Sequence, residues 1–264
     1  MRISRMIRNL AGSQGLIIRR EPDGAPLRAM LAGLHPVRTE HDLVRLGGEA
    51  DGGYLVPDDL DGIAAVFSPG VDRTAGFERD CIALGMKSFQ ADGSIERSPL
   101  QDDANDFLAK FIGIENSDET ITLDDWVAAK APGLDDLLLQ MDIEGHEWLA
   151  LAQVSDAVLS RFRVVVLELH HLDALATDFG RTLMQPVIQR LTRHFDVVHM
   201  HANNHGNAVV TREGELLELV EVTLLRKDRS TTREPVTQLP HPLDRDNVPD
   251  RPPIQLPPTL SGIP

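Results

Sequence analysis

Apolar runs alternate with helical patterns through the middle of the chain, from about residue 61 to residue 227. The runs contain few interrupting polar residues, which is typical of strands buried on both faces of a sheet. They are IAAVFSPG (63–70), KSFQAD (87–92), LLLQMDI (137–143), VVVLELH (164–170) and DVVHMHA (196–202). Helical stretches separate most of them, at about 75–84, 123–131, 147–159 and 181–194. This alternation predicts an α/β fold in which helices cover both faces of a mostly parallel sheet, a three-layer sandwich.

The last part of this region departs from the alternation. Residues 207–227, NAVVTREGELLELVEVTLLRK, contain two strand-like runs around a turn at Glu213-Gly214. Two strands joined by so short a turn must run antiparallel. We therefore expect an antiparallel hairpin to close one edge of the sheet.

Two regions flank this α/β domain of residues 61–227. Residues 1–60 are predicted to form an N-terminal helical extension and lead-in, whose first dozen residues combine arginines with apolar residues at helical spacing. Such a basic amphipathic helix fits packing on the domain or a weak contact with an anionic membrane surface. Residues 228–264 include nine of the 17 prolines, all from position 235 onward. Because proline lacks an N–H donor, we expect an extended tail packed on the domain.

Composition narrows the classes of function. The 264 residues carry 41 acidic and 26 basic side chains, a net charge of −15, and residues 92–144 alone contribute −11. So acidic a surface repels phosphate backbones and disfavours a nucleic-acid substrate. One cysteine excludes a disulfide scaffold and a Cys-rich zinc site. No apolar run reaches the ~18 residues of a membrane span, and no signal peptide is evident, so we expect a soluble, cytoplasmic protein.

Candidate ligand-binding residues follow the first two core strands, at the sheet edge where open α/β folds bind ligands. Ser68-Pro69-Gly70-Val71-Asp72 follows the first strand, and a glycine in such a turn lets the backbone approach a ligand closely. Asp92-Gly93 follows the second strand, where a carboxylate can accept hydrogen bonds from both hydroxyls of a ribose. Ordinary surface turns are the alternative for both segments.

Asp142 lies at the end of the predicted strand 137–143, directly after a run of apolar residues. An ionisable group at the end of a buried strand is costly unless it is paired or belongs to a functional site. We therefore predict a functional role for Asp142. Glu144, two residues later, equally fits a carboxylate favoured by the N-terminus of the following helix.

Seven of the ten histidines lie between residues 146 and 205. Strand alternation places Glu168 and His170 on one face, and likewise His199 and His201, at the ends of two strands expected to be adjacent. These residues and Asp142 could form one site. Either His170 or His199 would accept a proton, or a divalent metal, Mg²⁺ or Mn²⁺, would be bound. The candidate metal ligands are Asp142, Glu168, His170 and His201. The remaining alternative is that the histidines are structural, which we expect for His171, His194 and His205.

Several of these segments resemble one family. LLLQMDIEGHEWLAL (137–151) resembles the signature of FkbM-type methyltransferases, and VVVLELHHL (164–172) resembles the next strand of that family. FSPGVDRTAGFE (67–78) and GGEADGGYLVPDDL (47–60) resemble the corresponding segments of one branch. The resemblance covers roughly residues 43–227, with a weaker echo in the tail.

The resemblance implies a class I, Rossmann-like methyltransferase with a seven-stranded sheet that uses S-adenosylmethionine. The methyl acceptor would be a hydroxyl of a sugar, glycan or glycosylated natural product. Asp142 would face the methyl transfer, while the glycine turn and the end of the second strand would hold the cofactor. The cofactor-binding residues implied are Ser68, Gly70, Asp72, Asp92 and Gly93.

Two alternatives remain open at this point. The first is a metal-dependent hydrolase built from Asp142, Glu144, His170, His199 and His201, although no HExxH motif is present. The second is a non-catalytic domain that binds a glycan or cofactor, because the turn at Gly70 lacks the second glycine usual in the family.

Overall fold

The structure, a computed structural model, describes residue 7 and residues 10–14, 24–71, 74–133 and 135–263. Of the predicted N-terminal amphipathic helix, residues 7 and 10–13 are helical, and the rest lies outside the described residues. Asp72, a predicted cofactor contact, also lies outside them.

The secondary-structure elements are numbered here in chain order. The helices are α1 (Ala25–Ala32), α2 (Gly76–Ala83), α3 (Leu123–Lys130), α4 (Glu147–Gln153), α5 (Asp156–Leu159), α6 (Asp178–His194) and α7 (Pro258–Ser261). The strands before the middle of the chain are β1 (Val37–Arg38), β2 (Leu43–Leu46), β3 (Tyr54–Pro57), β4 (Ala65–Pro69), β5 (Lys87–Ala91), β6 (Asn105–Leu108), β7 (Phe111–Ile112) and β8 (Thr120–Ile121). The later strands are β9 (Leu137–Met141), β10 (Phe162–His170), β11 (Phe195–Ala202), β12 (Ala208–Thr211), β13 (Gly214–Leu217), β14 (Leu219–Arg226) and β15 (Glu234–Pro235).

Seven strands form the central sheet in the order β11–β14–β10–β9–β4–β5–β6. The pairs from β10 to β6 are parallel, whereas β14 is antiparallel to both of its neighbours, β10 and β11. This confirms the predicted α/β fold with a mostly parallel, seven-stranded sheet. The five predicted strands begin and end within two residues of the observed ones, because each is an apolar run buried in the sheet.

The antiparallel part of the fold is arranged differently in detail from the predicted edge hairpin. β12 and β13 form a separate two-stranded hairpin, and β14 lies inside the central sheet between β10 and β11. The sequence analysis expected the two strands that carry the histidine pairs, β10 and β11, to be adjacent. That expectation is wrong, because β14 lies between them. β14 brings its own acidic residue, Glu221, between them, opposite both Glu168 and His201.

Two smaller differences have local causes. The helix predicted over 147–159 is divided into α4 and α5, because Ser155 begins a new helix by accepting a hydrogen bond from the N–H of Val158 (3.2 Å). Strand β6 was not predicted, since its residues, Asn105–Leu108, are partly polar and none is fully buried.

The two faces of the sheet differ in polarity near the carboxyl ends of the strands. One face packs an apolar core around Phe67, Trp126 and Trp148. The other face has an apolar core near β2, β3 and α2, but it becomes polar at Gln140 and Glu168, which are both buried. Buried polar groups need hydrogen-bond partners or a functional role, so this face is where a site is expected.

No helix within the described residues is both long and apolar enough to cross a membrane.

A buried arginine closes the opposite end of the sheet. Arg163 contacts Asp136 (2.8 Å) and Asp59 (3.5 Å) and donates hydrogen bonds to the carbonyl oxygens of Asp59 and Asp61. Arg226 and Arg229 also contact these two aspartates, at 2.7 Å each. The cluster joins β10, β14 and the segments before β4 and β9.

We predict that Arg163→Met lowers the free energy of unfolding by about 3 kcal/mol, the lower end for breaking a buried ion pair. The loss is limited because Arg226 and Arg229 still neutralise the two aspartates. Chemical denaturation measures this loss. A variant as stable as the wild type would show that the cluster contributes nothing.

Candidate active site

A cavity of about 1190 Å³ opens at the carboxyl ends of β4, β5, β9 and β10. Its lining includes Gly70, Asp92, Asp142, Glu168 and His170. The chain order reverses between β4 and β9, and such a switch point is where open α/β sheets bind ligands. The cavity is slightly larger than the roughly 300–1,000 Å³ typical of a small-molecule site. It therefore has room for a cofactor together with part of a second molecule.

Gly70 allows the turn after β4 to pack against the end of β9. Its φ angle is +85°, and a Cβ atom at this position would lie 1.6 Å from the backbone oxygen of Asp142. Its N–H donates to the carbonyl oxygen of Ala91, and the N–H of Asp142 donates to that of Pro69. The glycine is thus required by a contact between strands. Ser68, a predicted cofactor contact, is fully buried, and its hydroxyl donates to Gln140 (2.6 Å) and Glu78. It is not among the described residues that line the cavity.

Asp92 lies at the end of β5 with its carboxylate on the turn after β4. Oδ2 accepts the N–H of Val71 (2.9 Å), and Oδ1 accepts the N–H and the hydroxyl of Ser94 (2.7 and 2.6 Å). Since each carboxylate oxygen can accept two hydrogen bonds, Oδ2 retains capacity for a ligand hydroxyl. A Cβ at Gly93 would lie 2.5 Å from the ring of Phe111, which lines the cavity. The absence of a side chain at Gly93 therefore allows the Phe111 ring to line the cavity.

Asp142 and His170 lie together at the centre of this edge of the sheet. His170 Nε2 is 3.9 Å from Asp142 Oδ1 and 3.5 Å from Oε2 of Glu144, whose side chain is 89% exposed. His170 Nδ1 is 3.1 Å from Oε1 of Glu147. Trp148 fixes the same strand end by donating its indole N–H to the His170 carbonyl oxygen (2.7 Å).

Glu147 is a site residue that the sequence analysis missed. Its side chain is 0% exposed, and Oε1 accepts the N–H groups of Ile143 (2.8 Å) and Gly145 (3.2 Å) in addition to contacting His170. In the sequence it resembles an ordinary first-turn acid of α4. The available signal was its place as the last carboxylate of DIEGHE, next to a tryptophan that is also buried.

Burial and neighbouring charges shift the pKa values of Asp142 and His170. Burial raises the pKa of Asp142 to about 7, with repulsion from Glu144 and Glu147 adding to the effect and His170 opposing it. For His170, burial lowers the pKa, but the hydrogen bond to Glu147 and the nearby carboxylates outweigh it and leave the pKa raised above 6.5. Asp142 Oδ1 and Glu147 Oε2 are buried and have no hydrogen-bond partner among the described residues.

The backbone beside these residues adopts uncommon conformations. Glu144 and His171 have φ angles of 56° and 58°, in the left-handed region. Each such residue costs about 1–2 kcal/mol relative to an ordinary conformation. Residues of this kind persist where surrounding contacts enforce them, and they cluster at functional sites.

Glu168 lies in a neighbouring group of carboxylates rather than beside His170's ring. It is 4% exposed, accepts hydrogen bonds from Tyr54 (3.3 Å) and Asn203 (3.2 Å), and has ligand atoms within 4.8 Å of those of Asp51 and Glu221. Burial, together with repulsion from Asp142 and Glu221, raises its pKa well above the ordinary range. Glu168 and Asp51 both line the cavity.

His199 and His201 are not in the cavity lining and do not meet Asp142. His199 Nε2 is 2.9 Å from Asp244 Oδ1, and His201 Nδ1 is 3.7 Å from Asp244 Oδ2. The predicted metal set of Asp142, Glu168, His170 and His201 is therefore not brought together, because β14 separates β10 from β11. Conversely, His171 and His205, expected to be structural, line the cavity.

The fold and this edge of the sheet are consistent with a Rossmann-like methyltransferase fold, with a seventh strand inserted antiparallel between two others. Residues 76–196 match the model of the family described as Methyltransferase FkbM domain. This match confirms the resemblance seen in the sequence and supports a methyltransferase. It includes Asp92, Asp142, Glu147 and His170 but begins after the turn at Gly70. No curated protein matches the chain.

We predict that Gly70→Ala destabilises the protein by about 3 kcal/mol, because a methyl group would overlap the Asp142 carbonyl and the left-handed φ adds strain. Thermal or chemical denaturation measures the loss.

Gly85→Ala is the matched control. Gly85 has a φ of +92° but nothing lies within 4 Å of its Cβ position, so only the conformational cost of about 1–2 kcal/mol applies. Equal losses at the two positions would contradict the close contact between the β4 turn and β9.

Proposed function

We propose that this protein is an S-adenosylmethionine-dependent O-methyltransferase acting on a hydroxyl of a sugar, glycan or glycosylated natural product. The observation that carries the proposal is one cavity in which Asp142, Glu147 and His170 adjoin the turn at Gly70 and the carboxylate of Asp92. The family match favours methyl transfer over the hydrolase alternative.

The residues present fit the cofactor. When bound, S-adenosylmethionine supplies a methyl group on a positively charged sulfur. The described residues lining the cavity include Asp51, Asp92, Asp142 and Glu168 but no lysine or arginine, which favours a cationic ligand over a phosphorylated one. Asp92 Oδ2 has acceptor capacity for a ribose hydroxyl, and the apolar side chains of Phe111 and Ile112 provide a surface for a flat base.

His170 is the proposed base for the acceptor hydroxyl. Because Glu147 Oε1 accepts a hydrogen bond from the Nδ1–H of His170, the neutral imidazole keeps Nε2 free to take up a second proton. Nε2 faces Asp142, so an acceptor hydroxyl near Asp142 would lie within reach of it. Removing the hydroxyl proton makes the oxygen a better nucleophile toward the methyl group.

A bound divalent metal is the second candidate for activating the hydroxyl. Asp142, Glu147 and His170 each offer a ligand atom within 4.8 Å of the others. One oxygen of each carboxylate is buried and has no hydrogen-bond partner in the described part of the chain. Mg²⁺ or Mn²⁺ would lower the pKa of a hydroxyl and orient it. In this arrangement Glu147 takes the place expected for Glu168 and His201.

We predict that S-adenosylhomocysteine binds and that Asp92→Ala weakens its affinity about tenfold or more, since the ribose hydroxyls lose a charged acceptor. Calorimetry measures both. The control is Asp103→Ala, at an exposed aspartate of the same acidic segment, which should bind like the wild type. Failure of the wild type to bind at millimolar ligand would contradict the proposal and favour a domain without cofactor.

We predict that methyl transfer to a panel of methyl hexosides slows as the pH falls through the raised pKa of His170, because protonated imidazole cannot act as the base. His170→Ala should reduce the rate about 10²-fold or more. Glu147→Gln removes the charge that raises this pKa, so the acid limb should shift to lower pH.

Chelator distinguishes the two candidates for activation. With His170 as the base, EDTA leaves the rate unchanged. Loss of activity in EDTA that Mg²⁺ or Mn²⁺ restores would instead establish the metal. A rate independent of pH across the neutral range, in enzyme insensitive to EDTA, would contradict both.

A further inference from the structure

The C-terminal segment, defined here as residues 241–251, contacts two loops of the cavity without lining the cavity itself. One is the loop of residues 48–53 between β2 and β3, which contributes Asp51 and Gly52 to the lining. The other is the loop of residues 203–206 after β11, which contributes His205 and Gly206. Both loops adjoin Glu168, through Asp51 and Asn203 respectively.

The contact with the 203–206 loop is a reciprocal pair of hydrogen bonds. Asn204 Nδ2 donates to the carbonyl oxygen of Val248 (2.9 Å), and the N–H of Val248 donates to Asn204 Oδ1 (2.8 Å). Arg251 donates to the carbonyl oxygen of His205 (3.0 Å). The Asn204 side chain therefore joins the loop to the segment as a paired strand would.

The contact with the 48–53 loop passes through one buried amide. Asn247, 5% exposed, donates from Nδ2 to Asp51 Oδ1 (2.9 Å) and to Glu221 Oε1 (2.5 Å). Three carboxylates, those of Asp51, Glu168 and Glu221, come together here, and like charges this close repel one another. A neutral donor shared by two of them holds Asp51 at the cavity wall against that repulsion.

Asp244 anchors the segment to β11. Its carboxylate accepts the N–H of His241 (2.7 Å) and contacts the imidazoles of His199 and His201. The neighbouring histidines hold the pKa of Asp244 well below its usual range, although burial opposes this. His199 and His201, which the sequence analysis placed in the active site, therefore bind the C-terminal segment to β11.

Among the described residues, the hydrogen bonds and ion pairs of the segment do not reach Gly70 or Asp92, which form the proposed cofactor end. Through Asp51 and Asn203 the two loops adjoin Glu168, which lines the same cavity as His170, and this Glu168 side is the proposed acceptor end. The 48–53 loop also passes close to Thr74 and Gly76 at the start of α2. We propose that the C-terminal segment builds the acceptor end of the cavity, with Asn247 and Asn204 as positioning residues for the methyl acceptor. This inference rests on the proposed methyl transfer.

The test compares full-length Asn247→Ala and Asn204→Ala with Thr259→Ala. Thr259 is also C-terminal, but its hydroxyl bonds to the carbonyl oxygen of Glu215 in β13, away from the cavity lining. Hydrogen exchange with S-adenosylhomocysteine present should become about tenfold faster at residues 48–53 for Asn247→Ala and at 203–206 for Asn204→Ala. The affinity for S-adenosylhomocysteine should stay within about twofold of wild type, and Thr259→Ala should change neither quantity.

The kinetic arm uses the methyl hexoside that the wild type methylates best. Both asparagine variants should raise its KM about tenfold, the effect of losing one hydrogen bond to a charged or buried group. Their kcat should stay within about twofold, since the bonds of the two asparagine side chains are to residues other than Asp142, Glu147 and His170.

Unchanged exchange at both loops would overturn the inference, as would an equal loss of acceptor and S-adenosylhomocysteine binding, which would make the segment a general structural element. If the wild type binds no S-adenosylhomocysteine, the proposed function fails instead. Exchange in its absence then still decides whether the segment holds the loops: rates equal to wild type in both variants overturn that part.

Discussion

The buried carboxylate of Glu147 is the interaction on which the site depends. A single oxygen, Oε1, contacts the N–H groups of Ile143 and Gly145 and the imidazole of His170. Burying an unpaired carboxylate costs several kcal/mol, and these donors offset that cost for Glu147. These contacts of Glu147 join the end of β9, the start of α4 and the end of β10. Asp142, held between β9 and this turn, depends on the same arrangement.

The packing between β4 and β9 places the cofactor end of the cavity against this point. Gly70 has no side chain, so the turn after β4 comes into contact with the backbone of Asp142. The left-handed conformation of Glu144 then turns the chain away from the sheet into α4. A strained turn and a close strand contact together leave the cavity open at the switch point, where the proposed cofactor and the proposed base can meet.

The sequence predicted the elements of the fold better than it predicted their neighbours. Apolar runs such as 164–170 revealed buried strands, and the position of Asp142 at a strand end marked the site. Strand order was not encoded locally: nothing near residues 219–226 shows that β14 enters the sheet between β10 and β11, although Glu221 within an apolar run was an indication. Glu147 contacts His170, and Asp244 contacts His199 and His201; these histidines are distant in sequence, and periodicity does not detect such contacts.

A crystal structure of the protein with S-adenosylhomocysteine tests whether the cavity beside Asp142 and His170 binds the methyl donor. We expect the ribose hydroxyls to lie at hydrogen-bond distance from Asp92 and the sulfur to be directed toward Asp142 and His170. Ligand density outside this cavity, or a ligand whose sulfur lies away from both residues, would contradict this expectation.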